Sequence, residues 1–295
     1  LFRSEFAQLI HDTLRFAFVT RVTFPGRDLR SDARMSGAMK RTLLLLLLAL
    51  TTTLQAAAPV RRLVVGFAPK DTFDFNLVAG FDRGRGWRDA DTIMGMVGTR
   101  QYTICTLTGN LGTVEGTQPR VRGENGVQGR LTRKLYRDAV LLNGDMPDLA
   151  RVKETDSQDP IAHKAVAAFL SGQGVQVEKP TLSQNLRVDL DSDGQAEYLV
   201  AAAHRDPYGP DKKPDEYSLL ALIKNGQVTP LFFQSQKVQP DLPWEDQQIL
   251  LVANLDGQGG PEIVIRYEYY EGGGVVIMGQ IQNNWKDVAR TDWGL

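Results

Sequence analysis

The chain has 295 residues, with 34 basic and 35 acidic side chains, three histidines and one cysteine. Its hydrophobic fraction of 42% and charged fraction of 23% are typical of globular proteins. One cysteine excludes a framework of internal disulfides and any zinc or iron–sulfur site built from several cysteines, and the near-zero net charge excludes a strongly basic nucleic-acid-binding protein.

Residues 39–56 have the order of parts found in a secretory signal peptide. Lys40 and Arg41 form a short cationic start, residues 43–50 are apolar, and small residues suited to cleavage follow at 56–58. The apolar stretch is much shorter than the roughly 20 residues that span a bilayer, so we expect no transmembrane anchor after processing. We predict a secreted or periplasmic protein, cleaved after Ala56 or Ala57.

Residues 1–38 precede this signal and show no clear hydrophobic period. We interpret them as an extension read from upstream of the true start codon, and a genuine cytoplasmic extension is the alternative. Without residues 1–56 the chain has 239 residues, with 26 basic and 31 acidic side chains and a net charge of −5. The mature protein is therefore predicted to be mildly acidic.

Residues 59–150 are predicted to be a β-rich N-terminal region, because β-branched and aromatic runs alternate there with turn signals. Two segments rich in glycine and arginine, 83–88 and 118–133, are predicted to be loops. Their basic clusters suggest contact with an anion or a polysaccharide, and simple solvation is the alternative. Strands are expected at 62–66, 73–79, 101–107 and 135–142, with a hairpin turn at 108–112.

Residues 151–180 are predicted to form a helix and a linker. Asp159 is a suitable N-cap, Pro160 occupies the first helical position, and Gly172 can end the helix. His163 lies on this helix without a carboxylate or cysteine at ligand spacing, so we expect a surface or packing role for it.

Residues 181–295 contain an internal repeat of two units. Each unit reads as strand, acidic loop, strand, long loop, strand, tight turn and strand, and Asp193 and Asp256 mark a period of 63 residues. Four-stranded units at such a period are typical of propeller blades. We predict a mainly β fold with one or two helices, whose C-terminal half forms blade-like antiparallel units. The strands are expected at 185–188, 198–203, 217–224 and 227–233, and at 248–253, 263–270, 275–282 and 285–290.

The acidic loop of the first unit, 189–197, predicts a metal site. Alternate aspartates on a tightly curved loop turn their carboxylates toward one centre, where they repel one another unless a cation lies between them. Ca²⁺ suits a flexible cage of protein oxygens better than Mg²⁺ does, and the absence of Cys and His disfavours softer metals. The predicted ligands, at positions 1, 3, 5 and 9 of the loop, are Asp189, Asp191, Asp193 and Glu197.

The corresponding loop of the second unit departs from this pattern. When it is aligned on Asp256 and Gly257, Val252 occupies position 1 and the closing acid comes two residues late. We therefore expect a weaker calcium site, or only a structural turn. Its candidate ligands are Asn254, Asp256 and Glu262.

The first loop resembles the FG-GAP (VCBS-type) calcium-binding repeats of integrin-like β-propellers, in which a D-x-D-x-D-G-x-x-[DE] loop joins the first two strands of a blade. The resemblance covers residues 185–290. It implies Ca²⁺ as the bound ion, and it implies binding or adhesion outside the cell more often than catalysis.

We therefore predict an exported calcium-binding module whose partner is a cell-surface polysaccharide or another protein, without nucleic acid. A secreted hydrolase with accessory calcium blades is the alternative, and it would need a pocket using His204, Asp206, Glu268 or Glu271. A third hypothesis is an inhibitor or assembly module that uses the N-terminal β region.

A further candidate contact for sugar or peptide is the run 267–271 beside a predicted glycine loop at 272–274, with burial as the alternative. Cys105 lies in an apolar run and is predicted to be buried and inert.

Overall fold

The computed structural model describes residues 62–123, 126–191, 193–205, 213–240 and 244–294. The predicted extension (1–38) and signal peptide (39–56) lie outside the described residues. The chain divides into two compact units, Leu1–Ala56 and Ala57–Leu295, and all described residues belong to the second. They form eighteen strands and one α-helix, which confirms the mainly β fold. No helix among them is long and apolar enough to cross a bilayer.

The N-terminal region forms one antiparallel sheet of eight strands, called the N-terminal sheet. Its order is β5-β4-β8-β1-β2-β7-β6, and β3 also pairs with β2. Because neighbouring strands are not consecutive in the chain, this region is not a blade-like meander. The strands are β1 (Arg62–Ala68), β2 (Asp74–Asp82), β3 (Gly86–Asp89), β4 (Gln101–Thr106), β5 (Gly109–Glu115), β6 (Arg120–Val121), β7 (Val127–Arg130) and β8 (Ala139–Gly144).

The connecting segment contains β9 (Asp148–Leu149), β10 (Lys153–Glu154) and the helix α1 (Pro160–Gly172). The Asp159 carboxylate accepts hydrogen bonds from the backbone N–H groups of Ile161 and Ala162, which confirms the predicted N-cap. Gln173 rather than Gly172 is the C-cap. The predicted helix therefore forms with its expected start.

The C-terminal half forms two five-stranded antiparallel sheets. The first repeat sheet has the order β10-β11-β12-β13-β14, and the second has the order β18-β17-β16-β15-β9. Each is a consecutive four-stranded meander with one short strand added from the connecting segment, as the repeat predicted. The strands are β11 (Leu182–Val188), β12 (Glu197–His204), β13 (Tyr217–Lys224), β14 (Gln227–Ser235), β15 (Asp246–Asn254), β16 (Glu262–Tyr269), β17 (Gly272–Ile281) and β18 (Asn284–Gly294).

The sheets and the helix lie in layers with a hydrophobic cluster at each junction. The second repeat sheet packs between the N-terminal sheet and the first repeat sheet, and α1 covers the outer face of the first repeat sheet. In β12, Leu199 and Ala201 face the second repeat sheet, whereas Val200 and Ala202 face α1. The middle of this strand, residues 199–202, is apolar because both of its faces are buried there.

Several segments predicted as loops are strands. Residues 83–88 contribute to β3, and 118–133 contains β6 and β7. The predicted turn at 108–112 is a two-residue turn at 107–108, followed directly by β5. The predicted glycine loop at 272–274 belongs to β17, where close neighbours require glycine: a Cβ on Gly274 would lie 2.2 Å from the Tyr267 hydroxyl oxygen.

The hairpin turns of the two repeats lie at the predicted positions or within one residue of them. Asn225 and Gly226 both have positive φ, 53° and 76°, as a tight hairpin turn requires. In the second repeat the residues with positive φ are Gln282 and Asn283, one residue earlier than the predicted turn. The sheet registers are therefore set by turns that the sequence marks to within one residue.

Candidate metal site

Loop one, residues 189–197, joins β11 to β12, and its ends meet as the strand pair Val188–Glu197. The Asp189 carboxylate accepts hydrogen bonds from the backbone N–H groups of Asp193 (3.2 Å) and Gly194 (3.0 Å). Gly194 has a φ of 84°, a conformation that favours glycine. The first acid of the loop therefore organises the loop's own backbone.

Glu197 closes loop one from the first position of β12. Its side chain is 3% exposed, and its Oε2 accepts a hydrogen bond of 2.9 Å from the backbone N–H of Leu190. One carboxylate oxygen from each of Asp189, Asp191 and Glu197 lies within 4.8 Å of the other two. The structure therefore brings together three of the four acids predicted as ligands in this loop.

The fourth acid, Asp193, faces the ammonium group of Lys224. The Lys224 Nζ lies 3.0 Å from Asp193 Oδ2 and 3.0 Å from Glu197 Oε1, and it also contacts Asp191 Oδ2. The hydrogen bonds to Asp191, Glu197 and Asp193 raise the pKa of Lys224. A hydrogen bond from the backbone of Gln195, with Lys224 as a further cause, lowers the pKa of Asp193. The loop thus holds an internal cation where the sequence predicted only a metal.

Lys224 reaches this position because of strand register. Ile223 pairs with Tyr198, so the next residue along β13 lies opposite Glu197. Lys224 also lines a cavity of about 510 Å³ beside loop one, together with Arg187 and Tyr198. The guanidinium of Arg187 lies over the Tyr198 ring, 5.1 Å from its centroid.

Loop two, residues 254–262, has the same length as loop one and the same register with its flanking strands. The backbone N–H of Leu255 donates to Glu262 Oε2 at 2.7 Å, as Leu190 does to Glu197, and Ala253 pairs with Glu262 as Val188 does with Glu197. The offset between the loops is therefore 65 residues.

This register corrects the predicted alignment, which used an offset of 63. Asn254 takes position 1, Asp256 position 3 and Gln258 position 5, and Glu262 closes the loop at position 9 without delay. Val252 is a buried strand residue rather than a member of the loop. The second loop therefore has its closing acid in the same place as the first. It lacks two of the three alternate carboxylates, since Asn254 and Gln258 replace two aspartates while Asp256 remains.

The charges around Glu262 differ from those around Glu197. Ile263 pairs with Met278, so the residue opposite Glu262 is Gly279, where the first repeat has Lys224. Burial and the neighbouring Asp256 carboxylate raise the pKa of Glu262 to about 8. Glu262 is 4% exposed. Loop two therefore contains a buried acid that has no lysine at the position equivalent to Lys224.

The residues considered for hydrolysis do not form one catalytic group in the described structure. His204 Nε2 lies 3.5 Å from Asp215 Oδ2, and Glu268 pairs with Arg266. Asp206 lies outside the described residues. Cys105 is buried, and burial raises the pKa of its thiol to about 11. His163 lies on α1, with its Nε2 2.7 Å from the backbone oxygen of Ser157.

The run 267–271 divides by burial. Tyr267 is 1% exposed, whereas Tyr270 is 65% exposed and follows the end of β16. Tyr267 is therefore buried, as the alternative interpretation predicted, and the aromatic run does not present a continuous surface.

The chain was compared with models of known protein families, with curated proteins and with solved structures. No match was found in any of the three comparisons.

Proposed function

We propose that this chain is an exported calcium-binding β-repeat protein that acts as a binding or structural module at or outside the cell surface, with loop one as its principal calcium site. The observation that carries the proposal is the meeting of oxygens from Asp189, Asp191 and Glu197 within 4.8 Å. The resemblance of loop one to FG-GAP repeats supports the same conclusion, because each loop joins the first two strands of a four-stranded meander.

Calcium fits loop one because each of its four candidate ligands offers a carboxylate oxygen. Ca²⁺ accepts six to eight such ligands at about 2.3–2.6 Å in flexible geometry. The ion would supply the positive charge that fixes loop one against the adjoining ends of β11 and β12. Asp189, Asp191, Asp193 and Glu197 would hold it.

The ion and Lys224 exclude each other, since Lys224 already contacts Asp191, Asp193 and Glu197. The lysine side chain is 39% exposed and lines the neighbouring cavity, so it has space to withdraw when the ion enters. Calcium binding therefore replaces one cation by another. Its affinity depends on how much more favourably the acids of loop one interact with Ca²⁺ than with the Lys224 ammonium group.

Isothermal titration calorimetry of the mature chain with Ca²⁺, and then with Mg²⁺, tests the proposal. We expect Ca²⁺ to bind and to raise the melting temperature, because a ligand that binds only the folded state stabilises it. Asp191→Asn should abolish most of this effect, whereas the control Asp91→Asn, at an exposed acid far along the chain from the loop, should retain it.

The number of Ca²⁺ ions bound per chain distinguishes one occupied loop from two. Loss of one of two bound ions in Asp256→Asn would assign the second ion to loop two. An unchanged melting temperature and no binding heat for the wild-type chain at millimolar Ca²⁺ would contradict the calcium proposal as a whole.

A further inference from the structure

The basic residues of this chain are concentrated in the N-terminal sheet. Residues 83–137 contain ten basic and four acidic side chains, a net charge of +6, although the whole chain has a net charge of −1. Within this segment, residues 118–137 contain six basic side chains and one acidic one, Glu124, which lies outside the described residues. The charge is therefore strongly asymmetric along the chain.

Strand register places three of these arginines on one face of the β6–β7 pair. Arg120 pairs with Gln128, and the backbone N–H of Arg122 donates to Gly126. Arg130 lies two residues beyond Gln128 and so shares its face, since side chains alternate along a strand. The opposite face carries Val127, which is buried in the core.

This arginine face, defined as Arg120, Arg122, Arg130 and Lys134, is exposed. Arg62, Arg205, Arg266 and Arg290 form ion pairs, whereas no ion pair within the described residues involves this face. Arg130 and Lys134 instead lie over the ring of Phe73, at 5.2 and 5.4 Å from its centroid. Asp74 pairs with Arg130 in the sheet but forms no ion pair with it within the described residues.

Protection of a sheet edge does not account for this face. β6 is the edge strand of the N-terminal sheet, but it is only two residues long and follows Pro119. A strand this short, next to a proline, already resists pairing with another chain. Two explanations of the arginines then remain, which are solvation of the surface and the binding of an anionic ligand.

We propose that the arginine face binds an acidic polysaccharide. Arg120 and Arg122 are two residues apart, which separates their side chains by about 7 Å along an extended chain. Each guanidinium can bind a carboxylate or sulfate through two parallel hydrogen bonds. Tyr136, in the same basic segment, is 86% exposed and offers an aromatic surface to a sugar ring.

A polysaccharide suits this face better than a nucleic acid. Nucleic-acid-binding domains usually carry a basic surface long enough to follow the phosphate backbone. This face consists of four basic residues, on a chain whose isoelectric point as a whole is near 6.4. The proposal takes from the proposed function only the setting outside the cell, and the chemistry of the face does not involve either acidic loop.

Binding to heparin and to polygalacturonate, measured by calorimetry in a buffer containing a chelator, tests the proposal separately from calcium. We expect both polymers to bind and both affinities to fall as salt is raised. Arg120→Gln/Arg122→Gln should lower the affinity by about tenfold, since each exposed ion pair contributes roughly two- to fivefold. The matched control Lys164→Gln/Lys179→Gln removes two exposed charges from the other half of the chain and should bind as the wild type does.

Three results would overturn the proposal. The first is the absence of binding by the wild-type chain, and the second is equal loss in the arginine and lysine variants. The third is tighter binding of single-stranded DNA than of either polysaccharide. Because calcium is removed throughout, failure of the metal site leaves this test unaffected, and failure here leaves the metal site standing.

Discussion

The buried acid of loop two gives the most direct prediction about stability. Burial and the Asp256 carboxylate raise the pKa of Glu262 to about 8, well above the usual range of a glutamate. The folded chain therefore keeps a proton between about pH 5 and pH 8 that the unfolded chain releases. Because the folded state binds more protons, the stabilising contribution of Glu262 is complete below about pH 4.5 and is lost as the pH rises toward 8.

Replacement of the acid by the neutral Glu262→Gln removes this dependence and retains an oxygen that can accept the hydrogen bond from Leu255. At about 1.36 kcal/mol per pKa unit, the free energy of unfolding of the wild type should fall relative to the variant by roughly 3 to 5 kcal/mol between pH 5 and pH 8. Urea unfolding followed by tryptophan fluorescence, in a buffer with chelator, measures this difference at each pH.

Two further variants make the test specific. Asp256→Asn removes the second cause of the shift and should move the loss of stability to lower pH, whereas Glu178→Gln, at an exposed glutamate, should follow the wild type. A difference between wild type and Glu262→Gln that stays constant from pH 5 to pH 8 would refute the reasoning, because it would show that Glu262 is ionised throughout.

Two other predictions concern Lys224 and the glycines of β17. Lys224→Met removes the internal cation of loop one, so Ca²⁺ should bind roughly three- to tenfold more tightly in calorimetry; unchanged or weaker binding would show that the lysine does not compete with the ion. Gly274→Ala places a Cβ 2.2 Å from the Tyr267 hydroxyl oxygen and 2.4 Å from the Thr291 backbone oxygen. It should lower the free energy of unfolding by about 1–3 kcal/mol in urea. The control Gly294→Ala has no atom within 4 Å of the added Cβ and should be nearly neutral, so equal losses in both variants would contradict the steric explanation.

The C-terminal strands could be predicted because their signals are local. The run Tyr198–Ala203 is apolar, and Asn225-Gly226 lies between two such runs, so each strand has a clear start and end. The short strands β3, β6 and β7 could not be predicted in the same way. They contain arginine and glycine at positions that usually indicate loops. They form because β2 offers a partner to β3 and to β7, and β7 in turn pairs with β6.

The candidate site shows the same division between local and long-range information. Asp189, Asp191 and Glu197 were found from spacing alone, since their separation lies within one loop. Lys224 comes from a different strand, and only the register of β12 with β13 places it opposite Glu197. The Asn225-Gly226 turn sets only the register of β13 with β14. The connection between β12 and β13 contains no such tight-turn signal, so the sequence does not predict the contact of Lys224 with loop one.

The predicted alignment of the second loop is wrong for a related reason. It uses the aspartate–glycine pair at 256–257, which is a feature of the turn, and not Glu262, whose position is fixed by the strands. Gly257 and Gly259 both have positive φ, 69° and 64°, so either can serve the turn. The position of the closing acid is therefore the better guide to the register of such loops.

The second repeat sheet has neighbours on both faces, and this has a consequence for dissecting the protein. A fragment that ends before residue 246 would lack this middle layer and would present the apolar sides of two sheets to water. A fragment containing only β15–β18 would present two apolar sides of its own. We therefore expect deletion products cut between the repeats to aggregate when expressed, whereas a chain that keeps all three sheets should not.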